Sequence, residues 1–392
     1  MRNILLLLWT FLLISSNLLG QITVRQVKPS DTDPLISTFN SDSNYVYINT
    51  NVTPKNILVV YFPGTNGKPK NSTYFGMAAA QLGFHSVGVV YPNGQAVASI
   101  CGNSSDPMCF ENVRRETIEG VDYSSSVSIN ATECILNRLK KLLSYLATNY
   151  PSENWGQYLD VNGDIIFSKV IISGSSQGGG HAALIGKYYP VKRVLCFSSP
   201  KDWSNFFNGP PSWLNPTGWQ TTPDNIYGFN HTLDTYTATL QIWDSLGINN
   251  YGAPVNVDNT SSPYNNTRQL ITSYSVPSGD EHGSTAINNA TPISSGLPVF
   301  LPVWNYMLSY GLDTITTGIH DNKTSQLKAF PNPTKEIVNI DLPNEEFTIT
   351  VFNQLGQTEF IQKSKVGNNQ IDLSKLNSGI YFIQLTGEKK YL

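Results

Sequence analysis

Charge is scarce in this chain. Asp, Glu, Lys and Arg make up 14% of its 392 residues, and the two signs nearly cancel, with 25 basic against 28 acidic side chains. Such a balance offers no basic patch to a phosphate backbone or an anionic lipid surface, which argues against nucleic acid and membrane-surface partners and for a neutral or apolar substrate. The shortage of charge does not mean disorder, because hydrophobic residues reach 40% and suffice for a core. Cysteine is limited to Cys101, Cys109, Cys134 and Cys196, none of them at metal-ligand spacing. The apolar run at the N-terminus, Ile4 to Ile14, is too short to span a membrane comfortably, so no transmembrane segment is expected.

That run is preceded by Met1-Arg2-Asn3 and followed by small and polar residues up to Gly20-Gln21, the layout of a secretory signal peptide over residues 1–20. Export implies an oxidising destination. Cys101 and Cys109 flank a loop of Gly, Asn, Ser, Asp and Pro and are expected to form a small disulfide, whereas Cys134 and Cys196 lie in apolar patterns and read as buried free thiols.

Between Ile57 and Leu246 short β-branched runs alternate with helical stretches, the pattern of an α/β fold with a mostly parallel sheet flanked by helices. The runs are Ile57 to Phe62, Val87 to Tyr91, Val170 to Ile172, Val194 to Phe197, Ile226 to Phe229 and, further on, Leu270 to Tyr274. Their unbroken apolar character is that of strands buried on both faces. Ile135, Leu139, Leu142, Leu143 and Leu146 form one helical stripe closed by Tyr150-Pro151. This α/β domain is expected over residues 21–317, followed by a polar linker at 318–326 and a small all-β sandwich at 327–392.

In that last segment Pro331-Asn332-Pro333, Val351-Phe352-Asn353 with Leu355-Gly356, Leu373 with Leu376, and Gly379-Ile380-Tyr381 occur in order. Together with the closing Lys389-Lys390-Tyr391-Leu392 they resemble the type A C-terminal sorting domain of the type IX secretion system. The resemblance implies that this system's transport machinery is a partner, and that the protein is secreted or held at the cell surface.

The chemistry centres on Gly174, Ser176 and Gly178, a G-x-S-x-G set between the strand Val170 to Ile172 and the helical stretch that opens at Gly179-Gly180-His181. A nucleophilic serine on a strained strand-to-helix turn needs glycine two residues to either side, where side chains would meet neighbouring backbone. The Gln177 amide, at the start of the helix, is placed to hold an oxyanion. A general base must follow, and of five histidines His282 is the candidate, in the loop Ser278 to Gly283 after a strand and before a helix near Val303 to Tyr310. His85, His181, His231 and His320 all have blander explanations in a strand, a helix, a loop ahead of the acid, or the linker. For the orienting acid both Asp234 and Asp202 lie just beyond strands; similarity to the α/β-hydrolase pattern, in which the acid follows the later strand, favours Asp234 and leaves Asp202 as the alternative. The second oxyanion donor is expected from Pro63-Gly64-Thr65-Asn66-Gly67, with Thr65 preferred and Gly64 or Asn66 as alternatives.

The stretch from Ile57 to Tyr310 resembles the α/β-hydrolase superfamily, and most nearly secreted esterases. That resemblance implies acyl transfer through a covalent acyl-serine, without metal or cofactor. A carboxylic ester hydrolase is expected; a peptidase on the same triad and an inactive binding protein of the same fold are the competing readings. Trp203, Phe206, Phe207, Trp213 and Trp219 either line an apolar cleft or pack their own loop. Arg114-Arg115-Glu116 with Glu119 reads as a surface ion-pair cluster.

Overall fold

The computed structural model describes residues 22–312, 329–342, 347–353, 358–379 and 381–387. The expected signal peptide, linker, Leu355-Gly356 turn, Ile380 and Lys389 to Leu392 lie outside them, as does His320. The chain divides into two compact units, Met1–Asp313 and Thr314–Leu392.

The first unit is α/β. Its strands are β1 (Thr23–Val27), β2 (Asn44–Ile48), β3 (Leu58–Phe62), β4 (His85–Gly88), β5 (Val170–Ser175), β6 (Arg193–Phe197), β7 (Ile226–His231), β8 (Val255–Asn256) and β9 (Gln269–Thr272). They form a nine-stranded sheet in the order β1-β2-β4-β3-β5-β6-β7-β9-β8. The pairings from β4 to β8 are parallel, while β1 with β2 and β2 with β4 are antiparallel. The helices are a single turn α1 (Pro29–Thr32), α2 (Thr73–Gln81), α3 (Val97–Cys101), α4 (Cys109–Glu119), α5 (Ile135–Asn149), α6 (Gln177–Tyr188), α7 (Tyr236–Ser245) and α8 (Leu301–Ser309).

Every residue of β3 is buried, and the alternation of side chains assigns them to two cores. Val60 and Phe62 join Leu139 and Leu142 of α5 and Ala182 and Leu184 of α6 on one face. Val59 and Tyr61 join Phe75 of α2 and Trp304 of α8 on the other. Each of these large side chains contributes about 1.5–3 kcal/mol by leaving water. The α5 stripe is the expected one: Ile135, Leu139, Leu142, Leu143 and Leu146 are all buried.

Three strands of this sheet escape the sequence pattern. β1 is an antiparallel edge with Val27 its one buried residue, β2 lies inside it and is mostly buried but mixes Asn44, Tyr45 and Tyr47 with its aliphatics, and β8 has two residues. β4 also begins earlier than expected, at His85, and leaves the ladder after Gly88, although the Val89 amide still reaches the Tyr61 carbonyl at 3.0 Å.

The strand order fixes where a site can form. The chain leaves β3 toward β4 on one side and returns to β5 on the other, so the loops after β3 and β5 diverge at the carboxyl ends of adjacent parallel strands. A crevice opens at such a reversal.

The second unit contains two small antiparallel sheets. One is ordered β12-β13-β16, from Ala329–Phe330, Ile337–Leu342 and Gly367–Asp372; the other is β15-β14-β17, from Thr358–Lys363, Phe347–Phe352 and Phe382–Gly387. A short hairpin in the first unit, β10 (Ile293–Ser294) and β11 (Leu297–Pro298), precedes them in the numbering. Val338, Ile340 and Ile371 of one sheet share a core with Ile349 and Val351 of the other, at the two-residue spacing of a sandwich.

Candidate active site

Ser176 stands alone between β5 and α6, with φ 52° and ψ −121°. A non-glycine residue held there costs about 1–3 kcal/mol and persists where the surroundings leave no other option. Those surroundings are crowded backbone. A Cβ on Gly178 would lie 2.2 Å from the Phe62 carbonyl oxygen, and one on Gly174 would lie 2.4 Å from the Gly178 carbonyl carbon. Neither position admits a side chain. The Ser176 amide donates to the Phe197 carbonyl at 3.0 Å, and the Ser176 carbonyl accepts the Gly180 amide at 3.2 Å. The turn is thereby fixed to both β6 and α6.

The loop after β3 approaches from the other side. A Cβ on Gly64 would come within 3.0 Å of the Ser176 Cβ and 3.7 Å of its Oγ. The Asn93 side-chain amide donates to the carbonyls of Gly64 at 2.7 Å and Gly67 at 2.9 Å, which stiffens the loop. The Asn66 amide is committed to the Asn93 carbonyl at 3.0 Å and is not free to meet an oxyanion. The Thr65 amide makes no hydrogen bond among the described residues. Its hydroxyl donates to Gln177 Oε1 at 2.7 Å, and the Val97 amide donates to the same oxygen at 3.3 Å. Thr65 and Gln177 are therefore held side by side, with the Gln177 amide among the unpaired donors of the first turn of α6.

His282 Nδ1 lies 2.9 Å from Asp234 Oδ2. Asp234 ends the turn after β7, its amide donating to the His231 carbonyl at 2.9 Å and its carbonyl accepting the Asn230 side-chain amide at 2.9 Å. The His282 side chain is 42% exposed and the Asp234 carboxylate 10%. Burial opposes ionisation of Asp234, but His282 and the Lys201 ammonium outweigh it and hold the carboxyl below the usual aspartate value. Lys201 Nζ sits 2.9 Å from the same Oδ2.

Asp202 has different company. Its carboxylate takes Arg114 Nε at 2.8 Å, a second, closer bond from Arg114 Nη2, and Trp213 Nε1 at 3.0 Å. Both ends of this pair are almost wholly buried, and Arg114 Nη1 goes on to the Gln177 carbonyl at 3.0 Å. Asp202 therefore anchors a cation behind the serine turn, and the histidine is met by Asp234.

The surface cluster expected around Arg114 needs correction. Arg114 and Glu116 are buried on the inner face of α4, Glu116 accepting the amides of Tyr123, Ser124 and Ile129, and only Arg115 and Glu119 form an outer pair. The long-range partner Asp202 draws Arg114 inward, which spacing alone does not reveal. The loop aromatics divide: Trp213 is buried and stacks with Trp219, while Phe206 and Phe207 are 61% and 51% exposed with ring centroids 5.0 Å apart.

The remaining histidines described are structural. His85 meets the Tyr158 hydroxyl, His181 packs edge-on against Tyr91, and His231 bridges the Leu233 amide and the Tyr274 carbonyl. Cys101 and Cys109 are disulfide-bonded, tying α3 to the start of α4. Cys134 and Cys196 are free and buried, and burial pushes the Cys196 thiol up to about 12.

Residues 328–392 match the family described as Secretion system C-terminal sorting domain. The C-terminal unit is a type IX secretion sorting domain. A chain carrying this sorting domain is handled by the type IX machinery and is secreted or displayed at the cell surface. Among the described residues no helix is long and apolar enough to cross a membrane. No curated protein matches the chain. A sorting domain on the same chain also gives the Cys101–Cys109 bond its oxidising setting.

Proposed function

We propose that the N-terminal unit is an extracellular serine hydrolase of the α/β-hydrolase type that cleaves carboxylic esters through an acyl-serine. The observation that carries this reading is the backbone of Ser176, strained at the carboxyl end of a buried parallel strand, with crowded glycines two residues to either side. The chain order of serine, acid and histidine, with Asp234 and His282 in hydrogen-bond contact, supports it.

On this reading His282 Nε2 takes the proton of Ser176 Oγ as that oxygen attacks the ester carbonyl carbon. The amides of Gln177 and Thr65 hold the resulting oxyanion. Collapse breaks the carbon–oxygen bond to the alcohol, which leaves with the proton from His282. A water then loses its proton to His282 and attacks the acyl-serine, releasing the carboxylic acid and returning the proton to Ser176. Asp234 keeps His282 Nδ1–H in place and stabilises the transient imidazolium.

Incubation with a fluorophosphonate probe, beside nitrophenyl esters of graded acyl length and peptide amides, tests the proposal. Wild-type protein should be labelled and should turn over esters in preference to amides. Ser176→Ala should lose both labelling and turnover, because the attacking oxygen is gone. Full labelling of that variant would sink the assignment.

A further inference from the structure

Lys201 follows Pro200 in the loop that leaves β6, and its side chain is 19% exposed. Five oxygens surround its ammonium: Asp234 Oδ2 at 2.9 Å, the Asp234 carbonyl at 3.1 Å, Asn230 Oδ1 at 3.1 Å, Thr235 Oγ1 at 2.8 Å and Thr239 Oγ1 at 3.0 Å. An ammonium has three N–H groups, so these bonds are shared, and the contacts come from β7, the turn after it and α7. Within that turn Thr235 lies at φ 47° and ψ 43°. A β-branched residue there is strained by about 1–3 kcal/mol. Lys201 ties down both the hydroxyl of this residue and the carbonyl before it.

The second observation is electrostatic. The oxygen that Lys201 meets is the one that meets His282 Nδ1. A lone carboxylate beside an imidazole favours the imidazolium; a carboxylate already paired with an ammonium presents a dipole in place of a full charge, and favours it less. Burial holds the ammonium's own pKa below the usual lysine value, and Asp234 offsets only part of that.

We propose that Lys201 is a positioning residue for the Asp234–His282 pair, one that fixes the carboxylate against the imidazole and extends the activity of the base to lower pH. This rests on the serine-hydrolase reading. The other charged and titratable groups around the pair are accounted for. Asp202, on the Lys201 loop, is matched by Arg114. His231 of β7 is bound at both ring nitrogens by backbone groups, and Asp258, beyond β8, is taken up by Thr272 and Ser273. On the histidine's own loop Glu281 accepts the Gly279 amide, and Asp280 precedes it. Among the described residues, Lys201 is the one Lys or Arg in ion-pair contact with Asp234.

The experiment is the pH profile of kcat/KM for nitrophenyl ester hydrolysis by the full chain, for wild type, Lys201→Met, Lys201→Gln and Lys201→Arg, with folding followed by thermal melting. In both neutral variants the acid limb should move up by about one pH unit, so that activity below the limb falls about tenfold relative to the plateau. Lys201→Arg keeps a cation and should keep the wild-type limb. An unmoved limb in a folded neutral variant overturns the proposal, as does a shift in Lys201→Arg as large as in Lys201→Met. If neither neutral variant folds, Lys201 is a structural prop and the proposal fails. A wild-type protein that fluorophosphonate does not label instead overturns the hydrolase reading itself.

Discussion

Asp202 and Asp234 each follow a parallel strand, and the structure gives them different consequences on mutation. Asp202→Asn removes the charge that matches Arg114 in a pair whose side chains are 1% and 2% exposed. Breaking a buried pair by neutralising one partner costs about 3–5 kcal/mol, because the remaining charge has no water to turn to. Asparagine keeps one acceptor oxygen, so the lower end, about 3 kcal/mol, is the better figure. At about 2–4 °C per kcal/mol for a unit of this size, the melting temperature should fall by about 6–12 °C. Turnover at a temperature where the variant is folded should fall by no more than about tenfold, through loosening of the Arg114 contact to the Gln177 carbonyl.

Asp234→Asn should do the reverse. An asparagine in its place can present N–H to the imidazole and select the wrong tautomer, so turnover should fall by about 10³- to 10⁴-fold, or about 4–5.5 kcal/mol of barrier. Its melting temperature should change less than that of Asp202→Asn, since the site is more open and Lys201 retains its neutral ligands. Thermal melting and steady-state ester kinetics on the two variants give all four numbers. If Asp202→Asn falls to the turnover of Ser176→Ala with an unchanged melting temperature, Asp202 is the acid and the contact between Asp234 and His282 is incidental.

Acid sensitivity should trace in part to Glu133, whose burial opposes its charge but which the hydroxyls and amides of Ser37 and Thr38, with Arg138, hold down at about 2. A carboxyl depressed in the folded state stabilises above its unfolded value, near 4.5, and loses that contribution as pH falls toward 2; urea midpoints of Glu133→Gln should therefore vary less with pH across that window, and an unchanged slope would refute the assignment. Removing residues 328–392 should leave kcat/KM of the purified protein within about twofold while blocking release from a type IX-secreting host. The exported form should be shorter than the precursor by intact mass, and a released species that keeps Leu392 would contradict a removable sorting signal.

What could be read from the sequence follows from how far apart the cooperating residues lie. β3, β5, β6 and β7 were legible because burial on both faces writes an unbroken apolar run into each. β1 was not, because an antiparallel edge of five residues buries little and leaves a weak signal, and β2 was not, because its mostly buried run Asn44-Tyr45-Val46-Tyr47-Ile48 is broken by an asparagine and two tyrosines. The serine turn was legible for a local reason: the clash that a Cβ on Gly174 would make is with the backbone of Gly178, four residues on. The choice between two carboxylates had no such local record. Asp202 is matched by an arginine 88 residues earlier, and Asp234 by a histidine 48 residues later and a lysine 33 residues earlier.

The two carboxylates also show why a buried acid after a strand is ambiguous until its cation is found. Arg114 reaches Asp202 from α4 and binds it through two nitrogens while Trp213 takes a further bond, a geometry that fills three of a carboxylate's roughly four acceptor sites and commits it to a buried ion pair. Lys201 reaches Asp234 as a single point charge and draws the rest of its contacts from neutral oxygens, so the carboxylate keeps capacity for His282 Nδ1. The same oxygen of Asp234 thus serves both the ammonium of Lys201 and His282 Nδ1, which a cation on a compact point contact allows.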